Sequence, residues 1–377
     1  MSKPVLGRPI METQHRLRRK LLMNFSVVSA FVALLVLTGY QPAGAQAGAK
    51  IIELRIGNPE PTVHSSHTVL QEWAKKVEEK TKGQVHFTIF PGGQLASSPQ
   101  TYGSILKGVM DVGRSAEGFT PQRFPLNVGA TFLVMGAPSA EIATNVRLDL
   151  YRKFPELRDE YKDVHLLFLY ASPPATNLHT RFAVRTVKDL KGKKLRVPNT
   201  PAQIAWVKGW GAAPVTMAMD EAYLALNKGI VDGLLGSDEI LKSFRLAEVT
   251  DYTTILNASS SPFYVAMNKR VWESLPPDVQ KVIDGLSEWA SIEMAKTVDA
   301  VSAEADVFAK NAGHEFISPT AQALEEIRAP IRSVNEAWAK DMDAKGKPGT
   351  AILEEANASL KRHMAKPTAP VKAKTMK

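Results

Sequence analysis

Arg196 is the residue whose setting most needs a chemical explanation. It lies in Leu195-Arg196-Val197, a short apolar stretch between Gly192 and Pro198. Its guanidinium is therefore expected to be at least partly buried, and a buried charge needs a partner. A guanidinium is a planar fork that matches a carboxylate through two parallel hydrogen bonds. That carboxylate is either an Asp or Glu of the chain itself or part of a ligand, and the residues alone leave both open. Signs of catalysis are sparse. Gly113-Arg-Ser-Ala-Glu-Gly118 sets a serine between glycines without the spacing of a nucleophile elbow. Gly192-Lys193-Lys194 lacks the spacing of a phosphate loop. His64 and His67, three apart, can share a helix face, but they fit better as one histidine near a helix cap and one facing solvent. No cysteine occurs anywhere, which removes disulfides, thiolate catalysis and Cys-based zinc sites. The balance favours binding over turnover, with no cofactor and no metal.

The elements that must position Arg196 follow a βαβ rhythm. Residues 51–56 read as a buried opening strand, followed by a Pro-bearing loop over 58–66. Leu70, Trp73 and Val77 then recur at spacings of three and four, one apolar face of a helix with Ser65 or Ser66 as its N-cap. Val85, Phe87 and Ile89 alternate along a strand over 84–90 that Pro91-Gly92-Gly93 stops. A helix is expected over 98–110 and a strand from 111. Later strands fall at 164–170, 195–197, 213–217 and 263–268. A helical turn is expected over 187–191, and helices over 200–210 and 220–228, the last capped by Asp220. Residues 277 to about 311 and 319 to about 363 are helical in pattern. Strands alternating with helices give an α/β class with mixed, mostly parallel sheets, covered by long C-terminal helices.

The N-terminus sets the compartment. Arg16, Arg18, Arg19 and Lys20 lead into an almost uncharged run from Leu21 to Tyr40, and Ala43-Gly44-Ala45 follows. Basic, apolar, then small residues is the order of a secretory signal peptide. A run of about 20 apolar residues also suits a membrane anchor, but Asn24, Ser26, Ser29 and Gly39 dilute this one. Export to the periplasm with cleavage near Ala45 is expected. Arg18-Arg19 leaves the choice between general and twin-arginine export open, and the lack of a cysteine rules out a lipid anchor at the cleavage site. The net charge of +9 misleads, because residues 1–45 carry six Lys/Arg against one acid. Arg362, Lys366, Lys372, Lys374 and Lys377 crowd into an acid-free end, so the body between is close to neutral. A nucleic-acid partner would need its basic surface on the fold, and is not expected.

Several runs in one order resemble a known family. They are Phe90-Pro-Gly-Gly-Gln-Leu95, Gly108-Val-Met-Asp-Val112, Asp189-Leu-Lys-Gly-Lys-Lys-Leu-Arg-Val-Pro198, Met217-Ala-Met-Asp-Glu-Ala-Tyr-Leu-Ala-Leu226, Gly229-Ile-Val-Asp-Gly233 and Tyr264-Val-Ala-Met-Asn268. Together, over roughly residues 50 to 340, they resemble the substrate-binding subunits of TRAP transporters, the DctP family. The resemblance implies a two-lobed, periplasmic-binding-protein-like clamp with its ligand between the lobes. It implies capture of a small organic acid without chemistry and delivery to integral-membrane permease subunits, by a chain expected to be a monomer. It also implies that Arg196, the arginine of the K-x-R-V-P strand, grips the ligand carboxylate. A periplasmic enzyme or a ligand-sensing subunit on the same fold is the alternative; a catalytic pair of shifted pKa or a receptor partner would mark it.

Departures from the family pattern shape the expected pocket. Met219 stands where many relatives place an aromatic before the E-x-Y helix. Leu234-Leu235-Gly236-Ser237 replaces a frequent Gln-Glu-Asn-Pro, so Gly236 supplies no side chain. Ala175-Thr176-Asn177 occupies the region where sialic-acid binders carry a second arginine. These losses imply a less polar acid, with Met219, Gly236 and Ser237 at the pocket. Loop position adds His64, Ser65 and Ser66 at a helix N-terminus, where backbone N–H groups favour anions. It also adds Arg114, Ser115, Glu117 and Phe119 at a strand end opening toward the cleft. Trp206 and Trp210, four apart, fit core packing better than ring stacking, and Glu221 and Tyr223 read as structural helix residues. The expected organisation is a signal peptide over 1–45, lobe 1 over 46–172 and lobe 2 over 173–261, each completed by part of 262–320. Helices over 321–364 lie across both lobes, and 365–377 is a disordered basic tail.

Overall fold

The computed structural model describes residues 51–132, 136–171 and 176–365. The expected signal peptide and all but the first residue of the expected tail lie outside them. Strand β1 (Ile52–Gly57) opens the first sheet by turning Leu54 and Ile56 into the core. It pairs in parallel with β2 (Val85–Phe90) and β3 (Val112–Ala116). Helix α1 (Ser65–Lys80) connects β1 to β2 and buries Leu70, Trp73 and Val77 completely. Each such side chain contributes roughly 1.5–3 kcal/mol. Neither serine caps this helix: the cap is His64, whose Nδ1 accepts the Ser66 N–H at 3.2 Å. His67 does not face solvent but is 7% exposed, tucked under the first turn.

The first sheet runs β2-β1-β3-β10-β4, with β10 (Pro262–Asn268) antiparallel to both β3 and β4 (Val164–Ala171). Helix α2 (Thr101–Lys107) lies between β2 and β3, and α3 (Pro125–Phe132), α4 (Ala140–Lys153) and α5 (Pro155–Asp159) lie between β3 and β4. The second sheet runs β11-β9-β5-β8-β6-β7. Its strands are β5 (Asn177–Thr180), β6 (Lys194–Val197), β7 (Ala213–Thr216), β8 (Gly233–Gly236), β9 (Tyr252–Thr254) and β11 (Glu315–Ile317). Here β5 is the antiparallel member, against β8 and β9, while β6 pairs in parallel with β7 and β8. The antiparallel strands sit where the chain changes sheet, from β4 to β5 and from β9 to β10.

The patterning gave no sign of β5, β8, β9 or β11. In β5, Asn-Leu-His-Thr is buried at all four positions, and its polar groups are bonded rather than solvated. Asn177 Nδ2 donates to both oxygens of Asp238 at 2.9 and 3.0 Å, and His179 Nδ1 lies 2.9 Å from Thr253 Oγ1. Partnered polar residues can be buried, and they leave no hydropathic trace.

Helices α6 (Pro201–Gly209), α7 (Ala222–Asn227) and α8 (Ile240–Ser243) cover the second sheet. Asp220 does not cap α7; Glu221 holds that position without a side-chain bond. The C-terminal helical stretches each divide, into α9 (Lys269–Ser274), α10 (Pro277–Gly285) and α11 (Ser287–Asn311), then α12 (Ala321–Ala344) and α13 (Gly349–Met364). Helix α11 packs Ala290, Met294 and Val298 with Trp73 and Phe168 under the first sheet. Its far end places Ala309 with Leu226, Leu234 and Leu246 in the core of the second. Helix α12 packs Ile327 and Ile331 against Trp206 and Trp210, and Trp210 Nε1 donates to Ile327 O at 2.8 Å. Both tryptophans are core residues.

Candidate functional site

Loops that follow the C-terminal ends of parallel strands form the crevice of an open α/β sheet, and here two such crevices face each other. From the first sheet come Glu60 and His64 after β1, then Ala116, Gly118 and Phe119 at the end of β3, and Pro262 and Phe263 where β10 enters. From the second come Arg196 and Pro198 of β6, Gln203 in the first turn of α6, and Met219 beyond β7. Leu235, Gly236 and Ser237 end β8, backed by Ile240 and Phe244. These groups line a cavity of about 140 Å³. Three phenylalanines with Met219, Leu235 and Ile240 make much of its wall apolar.

Arg196 is the exception in that wall. It sits in the middle of the sheet, in register with Val215 of β7 and Leu234 of β8, and is 2% exposed. Its Nε and Nη2 both donate to Met217 O, at 3.1 and 2.9 Å. Burial pulls its pKa down to about 10 against the opposing charges of Asp220 and Glu221, so it remains a cation at neutral pH. Among the described residues no carboxylate forms an ion pair with it. Of the two partners open at the start, the internal one is not there.

The other arginine at the site already has an internal partner. Arg114, 1% exposed in β3, donates Nε to Tyr170 Oη at 2.6 Å and Nη1 to Glu60 Oε1 at 2.8 Å. Its guanidinium lies 4.2 Å from the centroid of the Phe263 ring, within cation–π range. Arg114 thus stands behind the wall and fixes two residues that line the cavity. Burial alone would raise the Glu60 pKa, but the charges of Arg114 and His64 more than offset it and hold it below the usual carboxylate range. Glu117 does not line the cavity. It turns into the core, where it pairs with Arg147 and Tyr161 Oη, while Arg147 also donates to Tyr170 O and Phe263 O. Ser115 likewise donates away, to Ser98 O at 2.8 Å.

Ser65 has a different task. Its N–H and Oγ donate to the two oxygens of Glu239, at 3.0 and 3.1 Å, and His64 Nε2 lies 3.6 Å from the same carboxylate. Glu239 is 2% exposed and belongs to the second sheet's side, just before α8. The contact therefore clasps one lobe to the other, with an anion on the N-terminus of α1 as the helix dipole favours. Thr200 Oγ1, 3.5 Å from Gly118 O, and the edge contact of His64 with Phe244 are further links across the same gap.

Of the residues expected at the site, Arg196, Met219, Gly236, Ser237, His64 and Phe119 meet at one cavity, while Ser65, Arg114 and Glu117 do not line it. A Cβ at Gly236 would lie 2.3 Å from Ile240 Cδ1, so a larger residue there requires the end of the Ile240 side chain to move. Glu60, Gln203, Phe244, Phe263 and Glu239 were missed. Glu60, in a Pro-Glu-Pro loop directly after a strand, carried a signal in its position; the others carried none.

Two mixed sheets with an arginine-bearing cavity between them define a solute-binding protein of the two-lobed class. The profile of bacterial extracellular solute-binding protein family 7, DctP, matches residues 56–341, and the chain belongs to that family. It is similar to a TRAP periplasmic solute-binding protein from Desulfovibrio salexigens, at 30% identity and TM-score 0.75, over 85% of this chain and 98% of that one. It is also similar to a TRAP solute-binding protein from Rhodoferax ferrireducens that was solved with copurified benzoate, at 27% identity and TM-score 0.77, over 83% and 98%. The 2,3-diketo-L-gulonate-binding periplasmic protein YiaO of Escherichia coli is 24% identical over 73% of this chain and 90% of its own. The family is one of periplasmic, non-enzymatic carriers that work with membrane permease subunits. Among the described residues no helix is long and apolar enough to cross a membrane.

Proposed function

We propose that this chain is exported, loses its signal peptide near Ala45, and acts as a monomer that captures one small, largely apolar monocarboxylate between its lobes and delivers it to TRAP permease subunits. In this reading 46–172 and 173–261 are the lobes, each completed by part of 262–320, with the helices of 321–364 across both. The observation that carries it is Arg196: a buried cation with no anionic partner that opens onto an apolar cavity. A ligand carboxylate supplies the missing charge through the free edge of the guanidinium. The Arg114–Glu60 pair is already balanced, so the cavity asks for one negative charge and not two. Size fits one ring, because an apolar cavity of about 150 Å³ accommodates benzene. The benzoate carried by the Rhodoferax relative points the same way. Contacts such as Ser65–Glu239 let closure contribute to retention, since a ligand biases a hinge only by binding the closed state better.

A thermal-shift screen of one-ring monocarboxylates tests this. An acid present at about 100 times its Kd stabilises the fold by roughly 2.7 kcal/mol. Shifts confined to neutral sugars, with none for any acid, refute the reading.

A further inference from the structure

The cavity holds more polar groups than one carboxylate can use. Glu60 contributes a side chain 18% exposed from the first lobe, and Oε1 alone is bonded to Arg114. Its Oε2 has no hydrogen bond among the described residues. Gln203 contributes from the second lobe: it is 4% exposed, it lines the cavity, its Oε1 is buried with no partner, and its Nε2 has no hydrogen bond among the described residues, so the amide is free to turn its oxygen to a ligand donor. An ionised carboxylate can only accept hydrogen bonds, and an amide oxygen can only accept them as well. A buried acceptor left unmatched costs free energy that a donor recovers. Opposite these acceptors, Arg196 fixes where a carboxylate lies.

Resting on the monocarboxylate reading, we infer that the cavity selects acids whose ring also carries a hydrogen-bond donor, a hydroxyl or an amino group, and that Glu60 and Gln203 are the residues that read it. Glu60 also disfavours dicarboxylates. A second carboxylate beside Glu60 meets a like charge. Arg114 is turned to Tyr170 and Glu60 and does not line the cavity, so it is not placed to offset that charge. The Phe119, Phe244 and Phe263 rings accept the apolar remainder of the ligand and discriminate little between ring substituents.

Calorimetry on the mature protein with benzoate, the three hydroxybenzoates and isophthalate (benzene-1,3-dicarboxylate) tests the inference. At least one hydroxybenzoate should bind about tenfold or more tighter than benzoate, the range of one hydrogen bond to a charged acceptor. Isophthalate should bind at least tenfold weaker than benzoate. Gln203→Leu should cut the ratio of hydroxybenzoate to benzoate affinity to a third or less of its wild-type value. Glu60→Gln should bring isophthalate to within threefold of benzoate. The Gln203 variant keeps the test decisive should loss of the Arg114 partner unfold the other. Benzoate binding that depends on Arg196 but equals every hydroxybenzoate overturns this inference alone. A hydroxyl preference that survives in every folded variant does so too. Failure of every acid to bind overturns the monocarboxylate reading and this inference with it.

Discussion

Replacing Arg196 by alanine separates its two effects, on the ligand and on the fold. The guanidinium offers a bound carboxylate charge-assisted bonds worth about 1.5–3 kcal/mol each. Removing it leaves that carboxylate desolvated and unpaired, at a cost of about 3–5 kcal/mol, or two to four decades in Kd. The effect on the apo fold runs the other way. Burial lowers the Arg196 pKa from the usual guanidinium range to about 10, a penalty of about 3 kcal/mol for holding the cation in the folded state. Both states are protonated at pH 7, so the folded protein bears that penalty in full. Alanine removes it, and against that gain stand the lost bonds to Met217 O and a small cavity. The apo melting temperature should therefore stay within a few degrees of wild type while affinity collapses. Arg196→Lys restores the charge but not the fork, and should recover part of the affinity. Calorimetry and a melting scan of each apo variant give both readouts. Arg196→Ala with undiminished affinity, or with an unfolded apo state, refutes the reasoning.

Three further outcomes are expected. Glu239→Gln keeps an acceptor for the Ser65 N–H but removes the anion from the α1 N-terminus, and should weaken every ligand alike by about five- to thirtyfold, roughly 1–2 kcal/mol; unchanged calorimetric affinity would discount the clasp. Burial and the charge of Asp306 push the Asp238 pKa up to about 7 against the opposing bonds from Asn177. A carboxyl whose folded pKa is raised binds more protons folded than unfolded, so stability falls as pH rises toward that value. Between pH 5 and pH 7 this contribution should fall while the histidines kept neutral by burial add stability, so it is read as a difference: relative to wild type, Asp306→Asn should gain melting temperature as pH rises, and equal pH profiles in both proteins would exclude this origin. Mature protein recovered from the periplasm should begin near Gln46, and N-terminal sequencing that finds Met1 in a membrane fraction would contradict cleavage.

Legibility in the sequence followed the physics of each element. The α1 face was visible because Leu70, Trp73 and Val77 are apolar at helical spacing and all point one way. Arg196 was visible because a charge among apolar neighbours is an anomaly on a strand. Its partner was not, since the acids that act on it, Asp220 and Glu221, do so at a distance without pairing. Strand β5 was hidden because its burial is paid in hydrogen bonds to Asp238 and Thr253, residues some 60 to 70 positions on. Glu117 misled for a related reason. It stands one residue past β3, at the rim, but Ala116 faces the cavity and the next side chain turns inward to Arg147. Position in sequence located the rim, and only packing decided which residue faces in.

Under the proposed function, affinity and selectivity are held by separate residues. Ser65 and Glu239 are bonded without a ligand and neither lines the cavity, which the clasp meets at His64, so it adds a similar increment to any ligand that permits closure. Arg196 adds an increment to any carboxylate. Neither distinguishes one acid from another. Discrimination is left to side chains that meet the rest of the ligand: Glu60 and Gln203 through unmatched acceptors, Met219 and Ile240 through shape. Met219 is the softest of these, with three rotatable bonds and a polarisable sulfur, and it lies 3.9 Å from where a Cβ on Gly236 would be. Changes in ligand preference can therefore arise at Met219, Gln203 and Glu60 while the carboxylate grip and the clasp stay fixed, and specificity then follows from differences among acids that all satisfy Arg196.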